Sequence, residues 1–153
     1  MTAFAASDVD LLTALANAII PPDARDAGAA AVDAGPRLAE RMRDSPQAAL
    51  YDQGLRAAQE LCARQCGRPI TALTPSELHE LMQQVAAAEP AFFRQLRLDT
   101  TTLYLSDPVV WTRIGFPGPS IETGGHPDFD RPQSTNVECE PTRVTPPPPR
   151  TPK

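Results

Sequence analysis

Proline limits what this chain can become more than any other residue. Of its 18 prolines, ten follow Gly115, and the other eight cut the earlier stretch at Pro21-Pro22, Pro36, Pro46, Pro69, Pro75, Pro90 and Pro108. A proline lacks the backbone N–H and turns the residue before it away from helical dihedrals, so it is tolerated in a first turn and breaks a helix interior. The cuts leave segments of helical length, each carrying an apolar stripe at helical spacing.

The segments read one by one as helices. Ser7 is expected to cap the first, with Asp8 and Asp10 in its first turn. Val9, Leu11, Leu12, Leu15, Ala16, Ile19 and Ile20 form its stripe, and Pro21-Pro22 ends it. Between Asp23 and Gly35 the pattern is ambiguous, with one or two helical turns over Ala27–Ala34 set against two glycines. A short helix over Pro36–Arg43 places Leu38 and Met42 on one face. A longer one begins at Pro46 and runs to Cys66, where Gly67 and Pro69 stop it. Thr74-Pro75-Ser76-Glu77 is a capping box with proline at the first helical position. Its buried stripe is Leu78, Leu81, Met82 and Val85. Ala91 to Leu105 carries Phe92, Phe93, Leu96, Leu103 and Tyr104, and Ser106-Asp107-Pro108 restarts a short turn through Trp111 and Ile114. The expectation is an all-α, compact bundle of about five main helices with a minor sixth, joined by short connections. Alanine-rich composition suits close helix packing, and few runs of Val, Ile or aromatic residues favour strands.

After Ile114 the pattern changes. The helical domain is expected over 1–114, followed by an extended Gly/Pro-rich arm over 115–133 and a proline-rich, flexible tail over 134–153. The arm has few apolar anchors of its own, and ordering it costs about 1–2 kcal/mol per residue. A groove on another protein would supply the missing contacts. Phe116, Pro117, Pro119, Ile121, His126 and Phe129 are therefore the candidate partner interface.

Charge excludes some functions. The formal net charge is -5, and neither the domain nor the tail is a polycation, so no nucleic-acid backbone is expected as a partner. No stretch approaches the ~20 apolar residues of a membrane span. Met1–Ser7 has no basic residue, and Asp8 and Asp10 stand where an export signal would be hydrophobic. The chain is expected to be soluble and to carry no export address of its own, which leaves export alongside a partner open.

Machinery for chemistry is sparse. Cys62 and Cys66 lie four apart on one helix face, a spacing that serves packing, a disulfide, a redox pair or half of a metal site; no second pair completes structural zinc ligation, and the C-x-x-C redox spacing is absent. His79 reads as a surface or core-edge residue. His126, Asp128 and Asp130 alternate on extended chain and could hold a divalent ion or meet arginines of a partner. There is no phosphate-cradling glycine loop and no nucleophile elbow. No catalytic, cofactor-binding or metal residue is assigned to this chain.

Several segments, taken in order, resemble the small subunit-3 family of gluconate 2-dehydrogenase and related membrane-associated sugar dehydrogenases. The first is Leu11-Leu-Thr-Ala-Leu-Ala-Asn-Ala-Ile-Ile-Pro-Pro-Asp23. Tyr51 with Gly54-Leu55 follows, then Leu73-Thr-Pro-Ser-Glu77 and Phe92-Phe93. Tyr104-Leu-Ser-Asp-Pro108 and Trp111-Thr-Arg-Ile-Gly-Phe-Pro-Gly-Pro119 close the series. The resemblance implies a non-catalytic accessory subunit of a large FAD-containing dehydrogenase of the glucose–methanol–choline (GMC) type, supporting its maturation, stability or export. It also implies a multihaem cytochrome c as a third subunit in many such complexes, and a periplasmic or membrane-associated location through these partners. Two departures stand out: the twin-arginine signal of many relatives is absent, and their loop between the Ser-Asp-Pro and Trp motifs shrinks to Val109-Val110. Two other readings compete with this one. The first is a helical interaction or structural subunit of an unrelated assembly. The second is stand-alone catalysis with a metal at His126, Asp128 and Asp130.

Overall fold

A computed structural model of the chain describes residues 6–120 and 124–125. These include six α-helices: α1 (Ala6–Ile19), α2 (Ala34–Met42), α3 (Ala48–Cys66), α4 (Pro75–Ala88), α5 (Pro90–Leu105) and α6 (Pro108–Ile114). Short 3₁₀ helices over Gly28–Val32 and Ile70–Ala72 join them, and no strand occurs among the described residues. The bundle is all-α, as its proline spacing implies.

The core is built on α1, which packs along α2 and touches α3, α4 and α5. Its Leu11, Leu12, Leu15 and Ala16 are buried against Leu38, Tyr51, Leu81, Val85, Phe92 and Leu96 from the surrounding helices. Burying each large apolar side chain is worth about 1.5–3 kcal/mol, so this cluster holds the unit together.

Several element boundaries differ from the sequence reading, each for a local reason. Ser7 is itself helical within α1, so it does not stand before the helix as its cap. α2 starts at Ala34, and Pro36 is accommodated because first-turn N–H groups have no intrahelical acceptor. The ambiguous segment before it forms the 3₁₀ helix Gly28–Val32, closed by Asp33 in the left-handed region at φ 49°, which aspartate tolerates better than most residues. α3 starts at Ala48, after a turn in which the Gln47 N–H donates to Ser45 Oγ at 3.2 Å.

α4 opens with the full capping box: Thr74 Oγ1 accepts from the Glu77 N–H, and the Glu77 carboxylate accepts from the Thr74 N–H at 2.8 Å. The α3–α5 contact is fixed by Gly54. A Cβ there would lie 2.0 Å from Cγ of Phe92, so only glycine lets the phenyl ring settle against the α3 backbone.

The chain divides into two compact units, Met1–Gly118 and Pro119–Lys153. The first continues past the expected end at Ile114 because Phe116 and Gly118 pack on Trp111. In the second unit the Gly125 N–H donates to the Ser120 carbonyl at 3.0 Å. The expected arm and tail beyond this point lie outside the described residues.

Candidate partner-docking surface

The surface is assembled where α5 hands over to α6. Asp107 caps α6, its Oδ1 accepting from the Val109 N–H at 3.0 Å, with Pro108 in the first turn. Trp111 Nε1–H donates to the Leu105 carbonyl at 2.5 Å, which ties α6 back to the end of α5. Gly115 then takes φ 71°, a left-handed conformation that a side chain would strain. The chain reverses, and the Phe116 N–H reaches the Trp111 carbonyl at 2.8 Å. The Phe116 ring meets Trp111 edge-on, with centroids 5.7 Å apart at 83°, a favoured aromatic geometry.

An ionic base holds this corner. Asp26, from the loop after Pro21-Pro22, pairs with Arg113 and accepts from the Tyr104 hydroxyl. Arg113 Nη1 also donates to that hydroxyl at 3.3 Å, and Arg37 pairs with Asp107 at 3.3 Å. Four sequence-distant segments are thereby locked under a helix of which only Val110 is buried.

The outer side of the corner is apolar. Val109 is 64% exposed, Ile114 59% and Phe116 43%, and on α5 Leu98 is 60% and Leu105 50% exposed. Leu98 and Leu105, seven residues apart, share the α5 face turned away from its buried Phe92, Leu96 and Leu103. Scattered apolar residues on a surface are ordinary, and it is their grouping on adjoining turns that makes this corner the candidate surface.

The residues singled out from sequence fall in different places. Phe116 and Pro117 stand exposed at this corner, and Pro119 is exposed in the second unit; Ile121, His126, Asp128, Phe129 and Asp130 lie outside the described residues. Cys62 and Cys66 are free thiols, Cys62 buried and Cys66 half-buried. The Cys62 Sγ–H donates to the Arg68 carbonyl at 3.2 Å, and burial, with Cys66 beside it, raises its pKa. A thiol held protonated in this way is a poor nucleophile. His79 is exposed and meets Gln83 at 3.0 Å.

A polar site that composition gives no hint of lies between α3 and α5. Tyr51 donates its hydroxyl to Asp99 Oδ2 at 2.8 Å, and Gln95 Nε2–H donates to the same oxygen at 2.9 Å. Arg41 stands 3.9 Å from Asp99 Oδ1. Burial, reinforced by the neighbouring Asp99 carboxylate, pushes the Tyr51 pKa far above its ordinary range. Asp99 is 4% exposed, and its partners satisfy it as a structural group.

Among the described residues no cluster of three or more His, Cys, Asp or Glu side chains is placed to hold a metal ion. Nor is any described helix long and apolar enough to cross a membrane. A family model described as gluconate 2-dehydrogenase subunit 3 matches residues 6–118, the stretch that contains all six helices and the aromatic corner.

The chain belongs to the gluconate 2-dehydrogenase subunit 3 family. No curated protein and no solved structure matches it. Membership assigns this subunit 3 chain a general accessory role as the small, non-catalytic subunit of a dehydrogenase complex. The segments that carry the resemblance gain physical reasons in its fold. Tyr51 and Gly54 dock α3 on α5, while Tyr104, Asp107 and Trp111 build the α5–α6 corner.

Sequence reading missed Val109, Leu98 and Leu105 as surface residues, and Asp26, Arg113 and Asp99 as fasteners. A faint signal existed for the leucines, because apolar residues on α5 go almost fully round the helix, more than one core-facing stripe requires.

Proposed function

We propose that this chain is the accessory subunit of a heteromeric FAD-dependent dehydrogenase of the GMC type, acting on a sugar, a sugar acid or a related alcohol. It supports the maturation, stability or export of the large subunit, which holds the FAD and performs the oxidation. A multihaem cytochrome c is the third subunit that takes the electrons, and the assembly works in the periplasm or at the membrane through these partners.

The observation that carries this reading is the aromatic corner. Phe116 is held edge-on against Trp111, and with Val109 and Ile114 it is left exposed inside the region that matches the family. An apolar surface whose geometry is fixed in advance loses little conformational entropy on docking, and aromatic anchors dominate interface energetics.

Co-expression with a GMC-type flavoprotein gene from the same genome and purification through a tag on this chain tests the reading. A stoichiometric yellow complex, with flavin absorbance and sugar- or alcohol-dependent dye reduction, is the expected result. A large subunit that folds, loads FAD and is secreted equally well without this chain would refute it.

A further inference from the structure

The last turn of α3 holds reactive groups that neither the docking corner nor the Tyr51–Asp99 contact uses. Cys62 and Cys66 lie four apart on one face, and both are free thiols. They are neighbours: burial raises the Cys62 pKa most, and Cys66 raises it further through its charge and a side-chain hydrogen bond. The Cys62 Sγ–H crosses the end of the helix to donate to the Arg68 carbonyl at 3.2 Å. Cys66 is the last helical residue, and Gly67 after it turns into the left-handed region at φ 61°.

Position at the helix end is what lets this pair close. Side chains four apart on a regular helix keep their Cβ atoms about 5–6 Å apart, and a disulfide needs about 3.5–4.5 Å. In a helix interior that gap closes only by distorting the turns on both sides. Cys66 has helix on one side only. Residues 67–69 beyond it are exposed, and a Cβ on Gly67 would meet nothing within 4 Å. Cys62, Gly67, Arg68 and Pro69 also line a cavity of about 510 Å³, so the chain past the cap has room to shift.

We propose that Cys62 and Cys66 form a reversible dithiol–disulfide switch that sets how firmly the chain between α3 and α4 is held. The oxidant is another disulfide. Half-buried Cys66 is the thiol such a reagent reaches, and its thiolate attacks one sulfur of that disulfide. A mixed disulfide forms at Cys66, and one thiolate leaves. Cys62 then gives its proton to water, its thiolate attacks Cys66 Sγ, and the second thiolate leaves. The pair has lost two protons and two electrons, and the oxidant has become two thiols. Burial makes Cys62 the slow, resolving partner.

A disulfide sulfur has no hydrogen, so closure takes the Cys62 donor away from the Arg68 carbonyl. Arg68 is also paired with Glu77, which completes the capping box of α4, and loosening at Arg68 therefore reaches the start of the next helix. None of this depends on the accessory reading.

The test uses the full chain carrying Cys139→Ser, so that only this pair reacts. It is equilibrated in reduced and oxidised glutathione, quenched, alkylated and digested. Trypsin cuts after Arg64, between the two cysteines, so an internal disulfide joins two peptides. Excess oxidised glutathione is expected to give this bond in the folded monomer, and dithiothreitol to remove it. Amide exchange over residues 67–73 is expected to be about tenfold faster in the oxidised form. In Cys66→Ser, Cys62 is expected to take up glutathione at least about tenfold more slowly than Cys66 does in its presence. A glutathione adduct that stays on Cys66, a bond that forms only in denaturant, or unchanged exchange over 67–73 after oxidation each overturns the proposal. Equally fast uptake by Cys62 in Cys66→Ser does so too.

Discussion

The α3–α5 contact and the α5–α6 corner distribute polarity in opposite ways. Between α3 and α5 a buried carboxylate accepts from a buried phenol at 2.8 Å and from a half-buried amide at 2.9 Å. At the corner an ionic base of Asp26, Arg113 and Tyr104 carries a cap of Val109, Ile114 and Phe116 turned to solvent. A polar group inside must be satisfied locally or the fold is penalised. An apolar group outside carries almost no such obligation to its own fold, and its value is realised only when something covers it. The first region therefore serves the bundle, and under the proposed function the second serves a complex.

The comparison is broken most directly at Phe92, which is fully buried with its ring edge-on to Tyr51 at 5.5 Å. Phe92→Ala is expected to cost about 3–5 kcal/mol, measured as a lowered urea midpoint with unchanged slope. Should the same variant unfold like wild type and lose only partner binding, the division of labour between the two regions would be wrong.

Tyr51→Phe tests the polar half of the same contact. It removes a hydrogen bond to a buried carboxylate, worth about 1.5–3 kcal/mol. The pH dependence gives a sharper signature. The ordinary tyrosine value is near 10, and Tyr51 is raised well above it by burial and by Asp99. Its contribution is fully present below pH 10, and it is lost as pH rises toward the folded-state value, because the unfolded chain releases the proton first. Above pH 10, wild type is expected to lose stability more steeply than Tyr51→Phe, and the gap between them to narrow. Parallel curves would mean that Tyr51 is not the group being held protonated.

How much of this was legible in the sequence depends on the range of the interaction. Proline positions and the Thr74–Glu77 capping box act within a turn, so the helices they start and stop could be read directly. The Tyr51–Asp99 bond joins residues 48 apart and the Tyr104–Asp26 bond residues 78 apart. An aspartate in a helix reads as surface until a distant partner is known. Leu98 and Leu105 mislead in the reverse sense, since nothing in a leucine tells core from docking face. Gly54 lies between these cases. Its place in the helix is local, but the ring that excludes a side chain there arrives from α5.

At the corner the expected pattern reverses. Ile114→Ser together with Phe116→Ala removes two side chains that are 59% and 43% exposed. Folding stability is expected to fall by no more than about 1–2 kcal/mol, mostly from the lost Phe116–Trp111 ring contact. Affinity for the flavoprotein is expected to fall about tenfold or more, equivalent to at least about 1.4 kcal/mol. Calorimetric titration against the purified large subunit, next to a melting curve of the free chain, separates the two quantities. A large loss of stability with unchanged affinity would move the corner into the same class as the α3–α5 contact.

The smallest effect is expected at Glu77, which belongs to neither region and so calibrates both. Its carboxylate accepts from the Thr74 N–H at 2.8 Å and the Thr74 hydroxyl at 2.7 Å, and Arg68 pairs with it. These contacts, the backbone bond foremost, hold its pKa below the ordinary value of 4.5. The charged form is thus favoured by folding, so its contribution is present above pH 4.5 and disappears as pH falls through the lowered folded value. Glu77→Gln keeps an acceptor for the box and loses the charge. Thermal melts from neutral to strongly acidic pH are expected to show a small deficit for the variant at pH 7 that closes on acidification. A deficit that persists in strong acid would show that side-chain geometry at the cap, and not the carboxylate charge, is what α4 depends on.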